Sequence, residues 1–214
     1  MRHGTWLRWS DRLKQIFLSA SIPSPTDEPY GMTADPLLIH SAVRSLCTIA
    51  FGTRRVIWGG HPAITPMMWA ACENLGLNYA DTVHLYQSCY FEDDFPEENA
   101  RFGNVTYVPA LPSREESLRS MRDQMLDNEF EAGVFVGGKE GVIQECDLFI
   151  ERHPQAHVII LPSTGGASRI LAGRYPDKSA PVEDFFDYIS YIARFIEVSA
   201  PDAGDRRRDS NESN

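Results

Sequence analysis

Ala132–Glu145 reads AGVFVGGKEGVIQE: a short apolar run, two glycines, then a segment whose apolar residues fall at helical spacing. A strand this apolar, with no polar alternation, is buried on both faces. Two further stretches share the pattern. Arg55–Trp58 (RVIW) runs into Gly59-Gly60, and His157–Leu161 (HVIIL) runs through PST into Gly165-Gly166. Helical patterns separate these strands, which makes the chain a succession of βα units. The expected architecture is α/β, a Rossmann-like three-layer sandwich with a mostly parallel sheet of about six strands.

The remaining elements follow from local chemistry. Gln15–Ala20 and Val83–Gln87 read as strands, as does Val105–Val108. Pro36–Phe51 carries Ile39, Ala42, Val43, Leu46, Ile49 and Ala50 on one helical face, with Asp35 placed to cap it and Pro36 suited to the first turn. Pro62–Leu75 is expected to be a helix ended by Gly76. Ser113 and Glu116 have capping-box spacing and open a helix from Arg114 to about Asn128. Gly141–Arg152 is the next helix, and Val182–Val198 is the last, with Phe185, Phe186 and Ile189 within it. FEDDFPEEN, residues 91–99, reads as an acidic, solvated excursion. The domain is expected over 13–199, after an N-terminal extension over 1–12. Residues 200–214 are nearly devoid of apolar side chains and are expected to be a disordered tail.

Bulk composition narrows the function. The 30 acidic and 20 basic residues give a formal charge of −10, which repels a phosphodiester backbone, so nucleic acid is not an expected partner. The four cysteines have no metal-ligand or C-x-x-C spacing and read as buried thiols. The six histidines form no H-x-x-H or H-E-x-x-H pattern, so no metal is expected. No apolar run approaches the ~18 residues of a membrane span, and no signal peptide is legible. The expected location is cytoplasmic, with no membrane partner.

In a parallel sheet the three glycine pairs all fall at the carboxyl edge, where ligands of this architecture bind. Glycine lets the backbone approach a phosphate, and each following helix aims free N–H groups at the anion. The candidate ligand-binding residues are therefore Gly59, Gly60, Gly137, Gly138, Gly141, Gly165 and Gly166. Ser19 and Ser21, at the end of the first strand, are placed to reach phosphate oxygens or to bond locally in the turn. His61 and Thr65 either contact the ligand or cap the helix beginning there. Ser163 and Thr164 complete an anion nest with the third pair, with Arg169 one turn on. Lys139 is placed to pair with a phosphate or to be solvated. Neither G-x-G-x-x-G nor G-x-x-x-x-G-K-[ST] occurs, so neither a dinucleotide fingerprint nor a P-loop is present.

Gly137–Glu145 (GGKEGVIQE) resembles the P-G-G-x-G-T-x-x-E signature of the LOG nucleotide phosphoribohydrolases, and SLRSMRDQML resembles the Met/Arg-rich helix before it. Val136 stands in place of the proline, Val142 in place of the threonine, and one extra residue separates Gly138 from Gly141. IFLSASIPSP, the TAD at Thr33–Asp35 and WGGHPAITP at Trp58–Pro66 resemble the wider SLOG superfamily, particularly its branch linked to TIR-containing and bacterial conflict systems. The resemblance spans roughly Gln15 to Leu171. It implies a Rossmann-like fold and a pocket for a nucleotide-derived ligand of the NAD or ADP-ribose type, with no cofactor. A homo-oligomer or a separate effector protein would supply the output. It also implies that Glu145 and Arg122 are the catalytic pair if the chain is a nucleotide N-glycosidase. Without turnover, Glu145 would bind ribose hydroxyls or sit on a helix surface, and Arg122 would clamp a phosphate or pair with a neighbouring carboxylate.

Overall fold

The computed structural model describes residues 13–77, 82–95, 97, 99, 103–181 and 186–196. The expected extension over 1–12 and the tail over 200–214 lie outside the described residues. So do the expected domain end at Ser199 and Val182, Phe185 and Val198 of the expected last helix.

Six strands form one sheet: β1 (Lys14–Ser21), β2 (Arg54–Trp58), β3 (Val83–Ser88), β4 (Val105–Val108), β5 (Ala132–Gly137) and β6 (His157–Leu161). Their order is β4-β3-β2-β1-β5-β6, and every neighbouring pair is parallel. The architecture is thus the α/β Rossmann-like sandwich that the apolar strands imply.

Alternating side chains of the strands feed two cores. On one face Ile16 and Leu18 of β1 pack with helices α1 (Pro36–Ala50), α2 (Thr65–Asn74) and α6 (Tyr188–Ala193). On the other, Phe17, Ile57 and Phe135 pack with α3 (Arg114–Met125), α4 (Glu140–Arg152) and α5 (Gly166–Arg174). Phe17 stacks on Phe149 with ring centroids 5.5 Å apart, tying β1 directly to α4.

The helix starts follow their capping chemistry. Asp35 Oδ1 accepts from the amides of Leu37 (2.9 Å) and Leu38 (3.1 Å) and so opens α1. Ser113 and Glu116 form the full capping box at α3. Helix α2 begins at Thr65 rather than Pro62. His61 carbonyl accepts from both Ile64 and Thr65 amides, which makes residues 62–64 a turn, and Pro66 then sits in the first turn of the helix. Helices α3 and α6 are shorter than their periodicity suggested.

At the amino edge of the sheet, opposite the glycine turns, buried Arg54 donates from Nε to Glu131 Oε2 (2.7 Å). Burial raises the Glu131 carboxyl pKa, but hydrogen bonds and charges from Arg54 and Lys14 more than reverse this and hold it below its ordinary value. Farther out, the His84 ring stacks on Tyr86 at 4.4 Å, and its Nε2 meets Thr106 Oγ1 at 2.7 Å. Burial, helped by the charge of Arg55, pushes the His84 pKa from 6.5 down to about 4. The folded state therefore disfavours the protonated ring, and its stability is expected to fall as pH drops from 6.5 towards 4. The slope should not exceed one proton's worth, about 1.4 kcal/mol per pH unit. Urea denaturation across that range checks this, and His84→Phe should flatten the profile in the upper half of the window.

Candidate functional site

The chain runs outward from β1 to β4 on one side and then crosses to β5 on the other side of β1. The topological switch point therefore lies between β1 and β5. A crevice opens there at the carboxyl edge, because the crossovers leave the two neighbouring strands in opposite directions. A cavity of about 410 Å3 occupies this edge, roofed by α3 and α4.

A carboxylate forms its polar centre. Glu145, in the second turn of α4, accepts from Ser19 Oγ through Oε2 (2.6 Å) and from Arg122 Nε through Oε1 (3.1 Å). Arg122 also donates from NH1 to Gln144 Oε1 (2.8 Å). The side chains of Arg122 and Glu145 are 11% and 16% exposed, so the pair is largely desolvated yet faces the cavity. The guanidinium passes close over Gly141: a Cβ there would lie 3.1 Å from Arg122 NH2. Strand β1, helix α3 and helix α4 thus each contribute one member of the cluster.

The second wall is the turn after β2. Gln87 of β3 donates from Nε2 to the Gly59 carbonyl (2.6 Å) and lies against Gly60, where a Cβ would come within 2.1 Å of the same nitrogen. Gly60 also has φ of +77°, so the position requires glycine twice over. His61 follows it on the cavity wall, its Nδ1 accepting from the Ala63 amide (3.3 Å). Burial, then the charge of Lys139, lowers its pKa, which favours the neutral ring. Lys139 lines the same cavity and is paired with Asp27 at 3.1 Å.

Of the candidates read from sequence, Ser19, Ser21, Gly59, Gly60, His61, Arg122, Lys139, Gly141 and Glu145 line the cavity. The others do not. Thr65 is buried and donates to the His61 carbonyl (2.9 Å), which makes it a helix-start residue. The Gly137 amide donates to Thr164 Oγ1 and Ser168 Oγ, and the Gly138 amide donates to the Ser21 carbonyl. Ser163 bonds the Tyr188 hydroxyl at 2.8 Å, and Arg169 projects from the exposed side of α5.

The third glycine pair is no open anion nest. The segment Thr33–Asp35 lies across it: the Gly166 amide donates to Thr33 Oγ1 (3.0 Å) and the Asp35 amide donates to the Thr164 carbonyl (3.1 Å). The Gly59-Gly60 turn bounds the site, the Gly137-Gly138 turn is closed by its own hydrogen bonds behind it, and the third pair anchors a strap.

Several lining residues were missed. Phe91, Asp94 and Phe95 come from the stretch expected to be a solvated excursion; Cys89–Asp94 is instead a 3₁₀ turn followed by extended Phe95, and all three side chains line the cavity. Two phenylalanines four residues apart in an otherwise acidic stretch, Phe91 and Phe95, are the available signal. Gln87 and Ser88 were legible by position, at the carboxyl end of β3. Arg114, Leu118 and Met121 come from the inward side of α3. Among the described residues no cluster of side chains suited to a metal ion occurs, and no helix is long and apolar enough to cross a membrane.

The X-ray structure of TM1055, a Northeast Structural Genomics Consortium target, is similar to 75% of this chain and 81% of its own, at 16% identity and a TM-score of 0.44. No curated protein matches the chain. A family model described as the SLOG cluster3 family matches residues 29–196, which include Arg122, Glu145 and the Gly59-Gly60 turn, though not β1. Matched over most of its length, the chain belongs to the SLOG cluster3 family.

Proposed function

We propose that the chain binds a nucleotide-derived small molecule of the NAD or ADP-ribose type in the cavity around Glu145, and that it does so as a sensor. Membership of the SLOG cluster3 family supports a nucleotide-related ligand, bound or processed. The observation that carries the reading is the Ser19–Glu145–Arg122 cluster facing a cavity of about 410 Å3 at the switch point of the sheet. Each carboxylate oxygen already accepts one hydrogen bond and keeps a lone pair, enough to take the vicinal hydroxyls of a ribose. The first-turn amides of α4, the dipole behind them and Lys139 suit a phosphate. Trp58, Phe91 and Phe95 supply an apolar wall for a base.

Such a sensor fits a bacterial defence or signalling system in the cytoplasm, acting through a homo-oligomer or a separate effector protein. Isothermal calorimetry with AMP, ADP, ADP-ribose and NAD tests the binding. Saturable binding of at least one is expected, and heats at the level of buffer dilution for all four would end the reading.

The Ser19 hydroxyl at 2.6 Å from Glu145 favours a second reading. A carboxylate oriented on two sides is placed to stabilise the cationic ribosyl centre of N-glycoside hydrolysis, in which water adds at C1′ as the base leaves. Release of free base from a nucleoside monophosphate or NAD distinguishes this from sensing.

A further inference from the structure

A second cavity of about 520 Å3 adjoins the first and shares with it the wall formed by Arg114, Leu118, Arg122, Lys139 and Gly141. The three cations on that wall are not equivalent. Arg122 is held by Glu145 and Gln144, and Lys139 is held by Asp27. Arg114 has no carboxylate partner among the described residues; its guanidinium lies over the Phe91 ring at 5.7 Å. It is also in the wrong place for its helix. Arg114 is the first residue of α3, where the helix dipole disfavours a cation. Arg114 is therefore the cation of that wall whose charge no carboxylate among the described residues meets, seated on an aromatic face beside both cavities. A charge set against its own helix dipole in that position points to a binding role.

The outer cavity has the opposite character. Asp27, Glu28, Glu115 and Glu140 all line it, with Tyr30 donating to Glu140 at 2.7 Å. A second anionic group carried past the shared wall would meet these carboxylates at close range and be repelled.

We propose that Arg114 receives the ligand's phosphate at the wall the two cavities share, and that the acidic outer cavity requires this phosphate to be capped by an uncharged or cationic group. This rests on the nucleotide-binding reading above and deepens it: it names the residue that receives the phosphate and gives the reason a phosphate end esterified as in NAD or ADP-ribose is taken over a free one as in ATP. A guanidinium on its aromatic seat meets phosphate oxygens with two parallel N–H donors, which lysine cannot reproduce.

Calorimetry with ADP, ATP and ADP-ribose on the full chain tests it, alongside Arg114→Ala and Arg119→Ala. Arg119 is exposed on the same helix and lines neither cavity. ADP-ribose should bind more tightly than ATP. Arg114→Ala should weaken ADP-ribose about tenfold or more, the worth of one charged hydrogen bond, while Arg119→Ala should not. Arg114→Ala should also melt close to the unaltered protein, because removing a cation from the positive end of a helix offsets the lost contact with the Phe91 ring. Unchanged affinity in Arg114→Ala would overturn the assignment, and a lowered melting temperature with that result would make Arg114 structural. ATP binding as tightly as ADP-ribose would overturn the capping requirement. If none of the three nucleotides binds, this inference fails; if AMP and NAD give no heat either, the nucleotide reading fails with it.

Discussion

Gly165→Ala is expected to destabilise the protein by about 3–5 kcal/mol, combining backbone strain with a forced clash. The residue sits at φ 72° and ψ −158°, a region only glycine enters readily. Space is closed as well: a Cβ would lie 1.8 Å from the Thr33 carbonyl oxygen and 2.8 Å from Ala34 Cα. Both neighbours are backbone, so no rotamer change relieves the contact. The strap would have to lift, breaking the Gly166-to-Thr33 and Asp35-to-Thr164 hydrogen bonds together. For a chain of this length, each kcal/mol moves the melting temperature by about 2–4 °C, so calorimetry should show a drop of roughly 10 °C. Two alanine controls separate the causes. Gly76 has φ of +62° with nothing within 4 Å of its Cβ position, so Gly76→Ala should cost only about 1 kcal/mol. Gly173 is helical and equally open, so Gly173→Ala should stabilise by about 0.5–1 kcal/mol. A Gly165→Ala variant no less stable than Gly76→Ala would mean that Thr33 is not seated where it is described.

The strap also marks the limit of what the sequence discloses. Apolar runs such as HVIIL and AGVFV are legible because burial on both faces leaves no room for polar alternation. Asp35 and the Ser113–Glu116 pair are legible because capping is a contact between residues two or three apart. The position of the Gly59-Gly60 turn at the carboxyl edge is legible because a parallel sheet puts every strand end there, whereas Glu145 is singled out only by the resemblance of its motif. Thr33 on Gly165 is a contact between residues more than a hundred apart, and no local pattern signals it. The same Gly-Gly that opens one turn to a cavity therefore closes another under a loop. Phe91 and Phe95 were hidden by their acidic neighbours, which dominate any window average although Glu92 and Asp93 are exposed and do not line the cavity. Arg114 was visible only as an ordinary helix residue; its role depends on which of three neighbouring cations finds a carboxylate, and that is decided by tertiary packing.

Glu145 carries the second large effect, because Ser19 and Arg122 meet only through it. In a sensor, Glu145→Gln keeps the shape but exchanges one charged acceptor for an amide nitrogen, which cannot accept from Ser19, Arg122 or a ribose hydroxyl. Affinity for the ligand should fall about 10–100-fold, the range for a lost charged hydrogen bond. Arg122→Ala should cost at least as much, since it removes the cation from a largely buried carboxylate and frees that carboxylate to turn away from the cavity. In an N-glycosidase Glu145→Gln separates binding from turnover. Glu145→Gln would still bind, because the cavity walls are intact, but base release would fall by about 100-fold or more, as charge at the ribosyl centre is met only in the transition state. Calorimetry and base release measured on the same preparations therefore decide between the readings: affinity lost without any turnover to lose marks a receptor, and turnover lost with affinity kept marks an enzyme. Full affinity and unaltered turnover in Glu145→Gln would remove the carboxylate from both accounts and move the site to the glycine turn and its cations.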